Sequence, residues 1–229
     1  MSESLETLNL DARVVGDNPD EQVADTISLM SKYVREDAMS PEVLAAASEA
    51  APPGEDPLDG VFHYVKNLIR FQADETTAAP LQSRLAKLGL GNYPVVEVLI
   101  RPQDMLTWRA DTGHGQVGDC DDFVMLTAAL LLAKGINASF VTVAADPREP
   151  HQYSHVYVAA YPTGGERVAL DTSHGEYVGW EVEDQVTRRT EWPINAGYRG
   201  LILAGLVILA LVANWSRVSK WPWLKWRQS

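Results

Sequence analysis

Apolar positions recur at helical spacing through Val23, Ile27, Met30 and Val34. The residues just before them, Asn18-Pro19-Asp20-Glu21, have the marks of a helix start. Asn offers a side-chain acceptor, Pro needs no N–H in the first turn, and the acids suit the positive end of the dipole. This predicts a helix to about Glu36, after a flexible or strand-like lead-in over residues 1–17. Residues 41–50 predict a short alanine-rich helix, broken by the linker Ala51-Pro52-Pro53-Gly54-Glu55. Asp56-Pro57 opens a third helix with Leu58, Val61, Val65 and Leu68 on one face. Residues 72–91 read as loop plus a helix near 81–88. Helical pattern resumes at Cys120, with Phe123, Leu126, Leu130 and Ala133 on a stripe that ends at Gly135, a C-terminal cap. Residues 138–143, 154–161 and 166–171 then read as strands, the last two joined by a turn at Pro162-Thr163-Gly164-Gly165. Helices, then a central helix, then an antiparallel meander predict an α+β domain over residues 18–192, its central helix packed on the sheet.

Charge changes the picture at one end. The chain of 229 residues has a net charge of −12, yet residues after Glu191 carry no acid and five bases: Arg199, Arg217, Lys220, Lys225 and Arg227. The rest of the chain is five charges more negative than the whole. Such a body repels phosphates, so nucleic acid is not an expected partner. The first eleven residues are polar and acidic and show no cleavable leader.

The chain has one cysteine, Cys120, in Gly118-Asp119-Cys120-Asp121-Asp122-Phe123. One cysteine makes no internal disulfide, and a helix start favours its thiolate, the nucleophilic form. A thiol hydrolase or transferase also needs a histidine to carry the proton and a third group to orient it. His155 and Asp171 lie at the edges of the strand-like segments. If the intervening turn holds three residues, residues 162–164, then Tyr161 pairs with Gly165 and His155 falls directly opposite Asp171, within hydrogen-bonding reach. A one-residue slip would place them on opposite faces. The backbone N–H of Cys120 is the expected first oxyanion donor, and the side chain of Gln116 or Trp108 a candidate second. Asp119, Asp121 and Asp122 suit a helix N-terminus but oppose a thiolate, unless they turn away to fix the loop. His151 and His155 are not expected to hold zinc, because four residues along a strand set them ~13 Å apart. His174, past the strand end, is the weaker rival for the proton-transfer role. His63 and His114 read as structural or solvent-facing. Each triad residue also has a plain reading: a buried cysteine, a strand histidine, a strand-end acid.

Taken in order, Gly118-Asp119-Cys120-Asp121-Asp122, Lys134-Gly135-Ile136-Asn137-Ala138, Ser154-His155-Val156-Tyr157 and Leu170-Asp171 resemble the transglutaminase-like superfamily, in its bacterial and phage-borne members. The run from Phe62 to Phe71, and Arg101-Pro102-Gln103-Asp104-Met105-Leu106, resemble its segments upstream of the cysteine. The resemblance covers about residues 56–182. It implies a papain-like core in which Cys120 is the nucleophile, His155 the general base and acid, and Asp171 the orienting group. The implied reaction is thiolate attack on a peptide or cell-wall amide, with water or an amine as acceptor and no metal or organic cofactor. The alternative is a non-enzymatic structural or binding protein, such as a virion or tail component that keeps the fold.

Residues 200–213 are apolar throughout. As a helix they cover ~21 Å, short of a ~30 Å hydrocarbon core; extension over residues 196–218 brings them near spanning length. Trp215, Trp221, Trp223 and Trp226 resemble an interfacial belt, and the bases of the 219–229 tail favour anionic lipid or the cytoplasmic side. This segment is expected to anchor the protein in a membrane or dock it in an assembly. With no leader in view, a phage particle is one setting that reconciles such an anchor with an acidic domain.

Overall fold

The structure is a computed structural model that describes residues 18–73, 98–107, 116–183 and 186–194. The chain divides into two units, Met1–Ile194 and Asn195–Ser229, and every described residue belongs to the first. The lead-in over 1–17, the helix near 81–88, Trp108, His114, the apolar segment 196–218 and the tail 219–229 lie outside the described residues. Among the described residues, no helix is long and apolar enough to cross a membrane.

The domain is α+β. Among the described residues, the first three helices each begin with the same device: a side-chain acceptor followed by proline. Asn18 Oδ1 accepts from Asp20 N–H at 3.1 Å to start α1 (Pro19–Asp37). Ser40 Oγ accepts from Val43 N–H at 3.3 Å to start α2 (Pro41–Ala50). Asp56 Oδ1 accepts from Leu58 N–H at 2.8 Å to start α3 (Pro57–Leu68). Each acceptor satisfies an N–H that the first turn leaves without an intrahelical partner. A short strand β1 (Ile69–Phe71), the single turn-and-a-half α4 (Pro102–Thr107) and strand β2 (Gln116–Gly118) lead to the central helix α5 (Cys120–Ala133). Arg101, just ahead of α4, pairs with Glu36 and the buried Asp37, and lies 4.8 Å over the Tyr33 ring, which fixes α4 to the end of α1.

Every residue of α5 from Asp122 to Leu132 is buried. A helix apolar on all sides needs partners on all sides. Here α1, α2 and α3 cover it on one flank and the sheet on another. That sheet is antiparallel, in the order β5–β4–β3–β6, with β3 (Asn137–Ala144), β4 (His155–Tyr161), β5 (Val168–Leu170) and β6 (Arg188–Ile194). Phe140, Leu126, Leu130 and Leu131 are fully buried, each contributing about 1.5–3 kcal/mol by leaving water; Tyr157, on the sheet face opposite to Phe140, is buried in a second cluster with Val141, Val143, Ala159 and Ala169. Gly135, with φ +88°, ends α5 and turns the chain into β3, as its position predicts.

Three features differ from the expectation. The β4–β5 turn is longer than three residues: Ala160 pairs with Val168 and Val158 with Leu170. Extended by one residue, this register sets Asp171 opposite Tyr157, and His155 is its diagonal neighbour. The slip is of two residues, so face is preserved, and an imidazole spans a diagonal. Second, β6 extends the sheet on the far side of β3, pairing Val141 with Glu191; a polar Arg-Arg-Thr-Glu edge gives no apolar alternation to read. Third, β1 and β2 form a separate parallel pair, with Ile69 beside Gln116.

Candidate active site

Cys120 is the first residue of α5, capped by Asp119, whose Oδ1 accepts the Asp121 N–H at 3.1 Å. The acids around the sulfur divide by role. Asp119 holds the first turn, and Asp122, 2% exposed, accepts the backbone N–H of Ile100 at 2.7 Å, tying the 98–100 segment to the helix start. Asp121 stays beside the sulfur, its Oδ1 3.8 Å from Cys120 Sγ. Gly118 is required for this packing: a Cβ there would lie 2.6 Å from Asp122 Oδ2. Gly118→Ala is expected to displace the Asp122 carboxylate and strand the buried Ile100 N–H, at a cost of about 1–3 kcal/mol. A lowered urea midpoint at unchanged m-value checks this; an unchanged midpoint refutes it.

The structure joins His155 and Asp171 directly: His155 Nε2 lies 2.7 Å from Asp171 Oδ2. Asp171 is fully buried and His155 is 12% exposed. Asp171 Oδ1 accepts from the His174 N–H at 2.9 Å and from the Ser173 hydroxyl at 3.0 Å, so both oxygens are taken. Burial pushes this carboxyl up, but the His155 hydrogen bond and charge, the His174 N–H and the Ser173 hydroxyl outweigh it, and the net lies below the ordinary value. The group is therefore an anion at neutral pH. An anionic carboxylate only accepts, so His155 donates through Nε2–H, and its Nδ1 is the ring nitrogen not engaged by Asp171.

A run of rings links this pair to the helix carrying the cysteine. His155 packs edge-on against His174 with centroids 4.7 Å apart; His174 meets Phe71 at 5.3 Å, and Phe71 meets Phe123, in the first turn of α5, at 6.5 Å. One residue past Asp171, Thr172 shares a 2.9 Å hydrogen bond with Thr127 two turns along α5. These contacts hold the end of the sheet with His155 and Asp171 against the helix that Cys120 begins.

Of the two oxyanion candidates, Gln116 is described and is 4% exposed. Among the described residues, its Nε2 is the one buried side-chain nitrogen or oxygen without a hydrogen-bond partner. His151 is exposed in the turn before β4. His63 packs edge-on against Phe62 and lines a shallow cavity of about 470 Å³ between α2 and α3, to which none of the triad residues contributes.

His174, the rival for proton transfer, lies inside the site. Ligand-type atoms of His155, Asp171 and His174 come within 4.8 Å of one another. A cation could use this set only by displacing the His155–Asp171 hydrogen bond and reaching a carboxylate with no exposed surface, so the arrangement suits proton chemistry better than ligation. Ser173, His174 and Phe71 are the site residues that strand patterning does not reveal; the signal in the sequence was a second imidazole three residues beyond Asp171.

No family model matches this chain, and no curated protein matches it. Among solved structures, a chain in the crystal structure of Rad4–Rad23 bound to a 6-4 photoproduct UV lesion is similar at a TM-score of 0.42 and 11% identity, over 75% of this chain and 44% of that one. The present chain spans less than half of that chain's length.

Proposed function

We propose that this protein is a thiol-dependent acyl hydrolase or transferase of transglutaminase-like, papain-like type, acting on a peptide or cell-wall amide. The observation that carries the reading is the 2.7 Å His155 Nε2–Asp171 Oδ2 contact, buried at the sheet end beside the helix that Cys120 opens. In this reading, His155 Nδ1 takes the Cys120 proton. The thiolate attacks the acyl carbon, His155 returns the proton to the leaving amine, and water or a second amine then releases the acyl group. Asp171 holds the tautomer that leaves Nδ1 bare. Gln116, whose buried amide Nε2 has no partner and would have to turn outward to meet a substrate oxygen, is our candidate for the second oxyanion donor.

The competing reading, a binding or structural protein that keeps the fold, is favoured by one observation: Asp121 Oδ1 lies 3.8 Å from Cys120 Sγ, where a negative charge opposes a thiolate. Alkylation of Cys120 by iodoacetamide as a function of pH separates the two. An unactivated thiol titrates near pH ~8.5, whereas an imidazole-paired thiolate reacts well below pH 7. Rapid labelling at pH 6 is the expected result. A single midpoint near that of an ordinary thiol would move the assignment to the binding protein.

A further inference from the structure

His174 is held in place by more than its own contacts. Its N–H and the Ser173 hydroxyl both bond Asp171 Oδ1. With its one proton given to Asp171, Ser173 Oγ accepts from His174 Nδ1–H at 2.9 Å, which sets the ring angle. The next residue closes the turn: Gly175 N–H donates to Asp171 O at 2.8 Å, and a Cβ at Gly175 would lie 2.5 Å from that oxygen, so no larger residue fits unchanged. From α3, Lys66 Nζ donates to Gly175 O at 2.6 Å. The turn from Asp171 to Gly175 is thus tied at both ends and from the helix layer.

The result of that locking is a ring laid over another ring. His155 is enclosed between Tyr157, stacked at 6.3 Å, and His174, edge-on at 4.7 Å. His174 is itself exposed on its outer side, with the half-exposed Phe71 against it. Burial and the neighbouring His155 charge, with Lys66 adding to them and Asp171 opposing, hold His174 below the ordinary imidazole value, so at neutral pH it is uncharged and fit to lie against a histidine that must accept a proton.

We propose that His174 is a positioning residue: its ring covers the His155–Asp171 hydrogen bond, excluding water from it and holding the angle of the His155 ring. Its value for proton transfer rests on the thiol-enzyme reading above; its covering of the hydrogen bond does not. The shielding matters because a hydrogen bond removed from water is stronger and more directional than one that water can invade.

The test is the His155 Nε2–H resonance in ¹⁵N-labelled protein, full chain, at pH 7–8. In the parent this proton is expected to exchange slowly enough with water to be seen. In His174→Ala its exchange is expected to quicken roughly tenfold or more, as for any site that opens locally. His174→Phe, which keeps a ring edge against His155 but cannot bond Ser173, is expected to restore most of the protection. The same three proteins are labelled at Cys120 with iodoacetamide. Unchanged Nε2–H exchange in folded His174→Ala overturns the proposal, as does a folded His174→Phe that exchanges as fast as the alanine variant. Should His174→Ala fail to fold, the comparison of parent with His174→Phe still decides: protection kept supports the covering ring and protection lost refutes it. Protection that follows the ring in all three, with Cys120 slow in all three, supports His174 and refutes the thiol-enzyme reading. Fast labelling in the parent with exchange indifferent to residue 174 does the reverse.

Discussion

His155→Ala is expected to lower the rate at which iodoacetamide alkylates Cys120 at pH 6 roughly tenfold, and the size of that drop follows from two opposing effects. An ordinary thiol near pH ~8.5 is only about 0.3% thiolate at pH 6, so full ionisation raises the reactive fraction about 300-fold. A thiolate of lower basicity is also a poorer nucleophile; with a Brønsted slope of about 0.4–0.5, a fall of some 3.5 pH units in basicity gives back about 40-fold. The net gain from pairing with imidazole is therefore near an order of magnitude at pH 6. With the same ~40-fold penalty, the gain is cancelled once about one in 40 of the unpaired thiols is ionised, near pH ~7, and above that the variant is the faster for as long as the pair persists. The pH dependence is thus the decisive readout: the parent is the faster in acid, and the order reverses above about neutral pH. Equal rates throughout would show that His155 does not control the sulfur. A uniform drop at all pH values would show lost access or lost fold rather than a lost base.

The difference between what pattern reveals and what packing adds is clearest around Asp171. Helix starts were legible because each is written in adjacent residues: Asn18, Ser40 and Asp56 each precede a proline, and the side-chain bond that makes the cap spans two or three positions. Central helix α5 was legible from an apolar run that begins at Cys120 and stops at Gly135. The strands β3, β4 and β5 were found approximately because their alternation is local, but their register was not. Turn length is set by how Gly165 N–H returns to Pro162 O and by where Val168 can pair, and nothing in the alternation fixes that. The two-residue error still kept His155 and Asp171 on one face, since side-chain direction repeats every second residue. Strand β6 escaped because an edge strand needs apolar residues on one side at most, and Arg188, Arg189 and Glu191 lie on a solvated rim. His174 was visible as a residue and invisible as a neighbour. Its place beside His155 comes from the closure of a turn that requires glycine at 175 and a lysine from α3, 109 residues away in sequence.

Asp171→Asn is expected to disable the site while leaving most of the fold, because asparagine cannot meet both of the demands that the carboxylate meets. Both oxygens of Asp171 face donors: His155 Nε2–H on one side, the His174 N–H and Ser173 hydroxyl on the other. An amide has one oxygen and one NH₂. If the NH₂ faces His155, Nε2 must accept, the imidazole proton moves to Nδ1, and the base that would take the cysteine proton is lost; the corresponding swap in a serine-protease triad costs about 10⁴ in kcat. If instead the NH₂ faces the His174 N–H, donor meets donor in a buried turn, at about 1–3 kcal/mol, and the segment that carries His174 loosens. The first arrangement removes fast labelling at pH 6, and the second weakens it by taking away the anion that stabilises an imidazolium. The stability of the two proteins should also respond differently to acid. Asp171 in the folded protein lies below its ordinary value, so its contribution is fully present above the unfolded carboxyl value of about pH 3.9 and is lost as pH falls through the lower folded value. In Asp171→Asn that loss is absent. The parent's urea midpoint should exceed the variant's at pH 7, and the gap should narrow as the pH is lowered below about 3.9. A gap of constant width from pH 7 to the acid limit would mean that Asp171 is held for packing alone, and that its charge does nothing for His155.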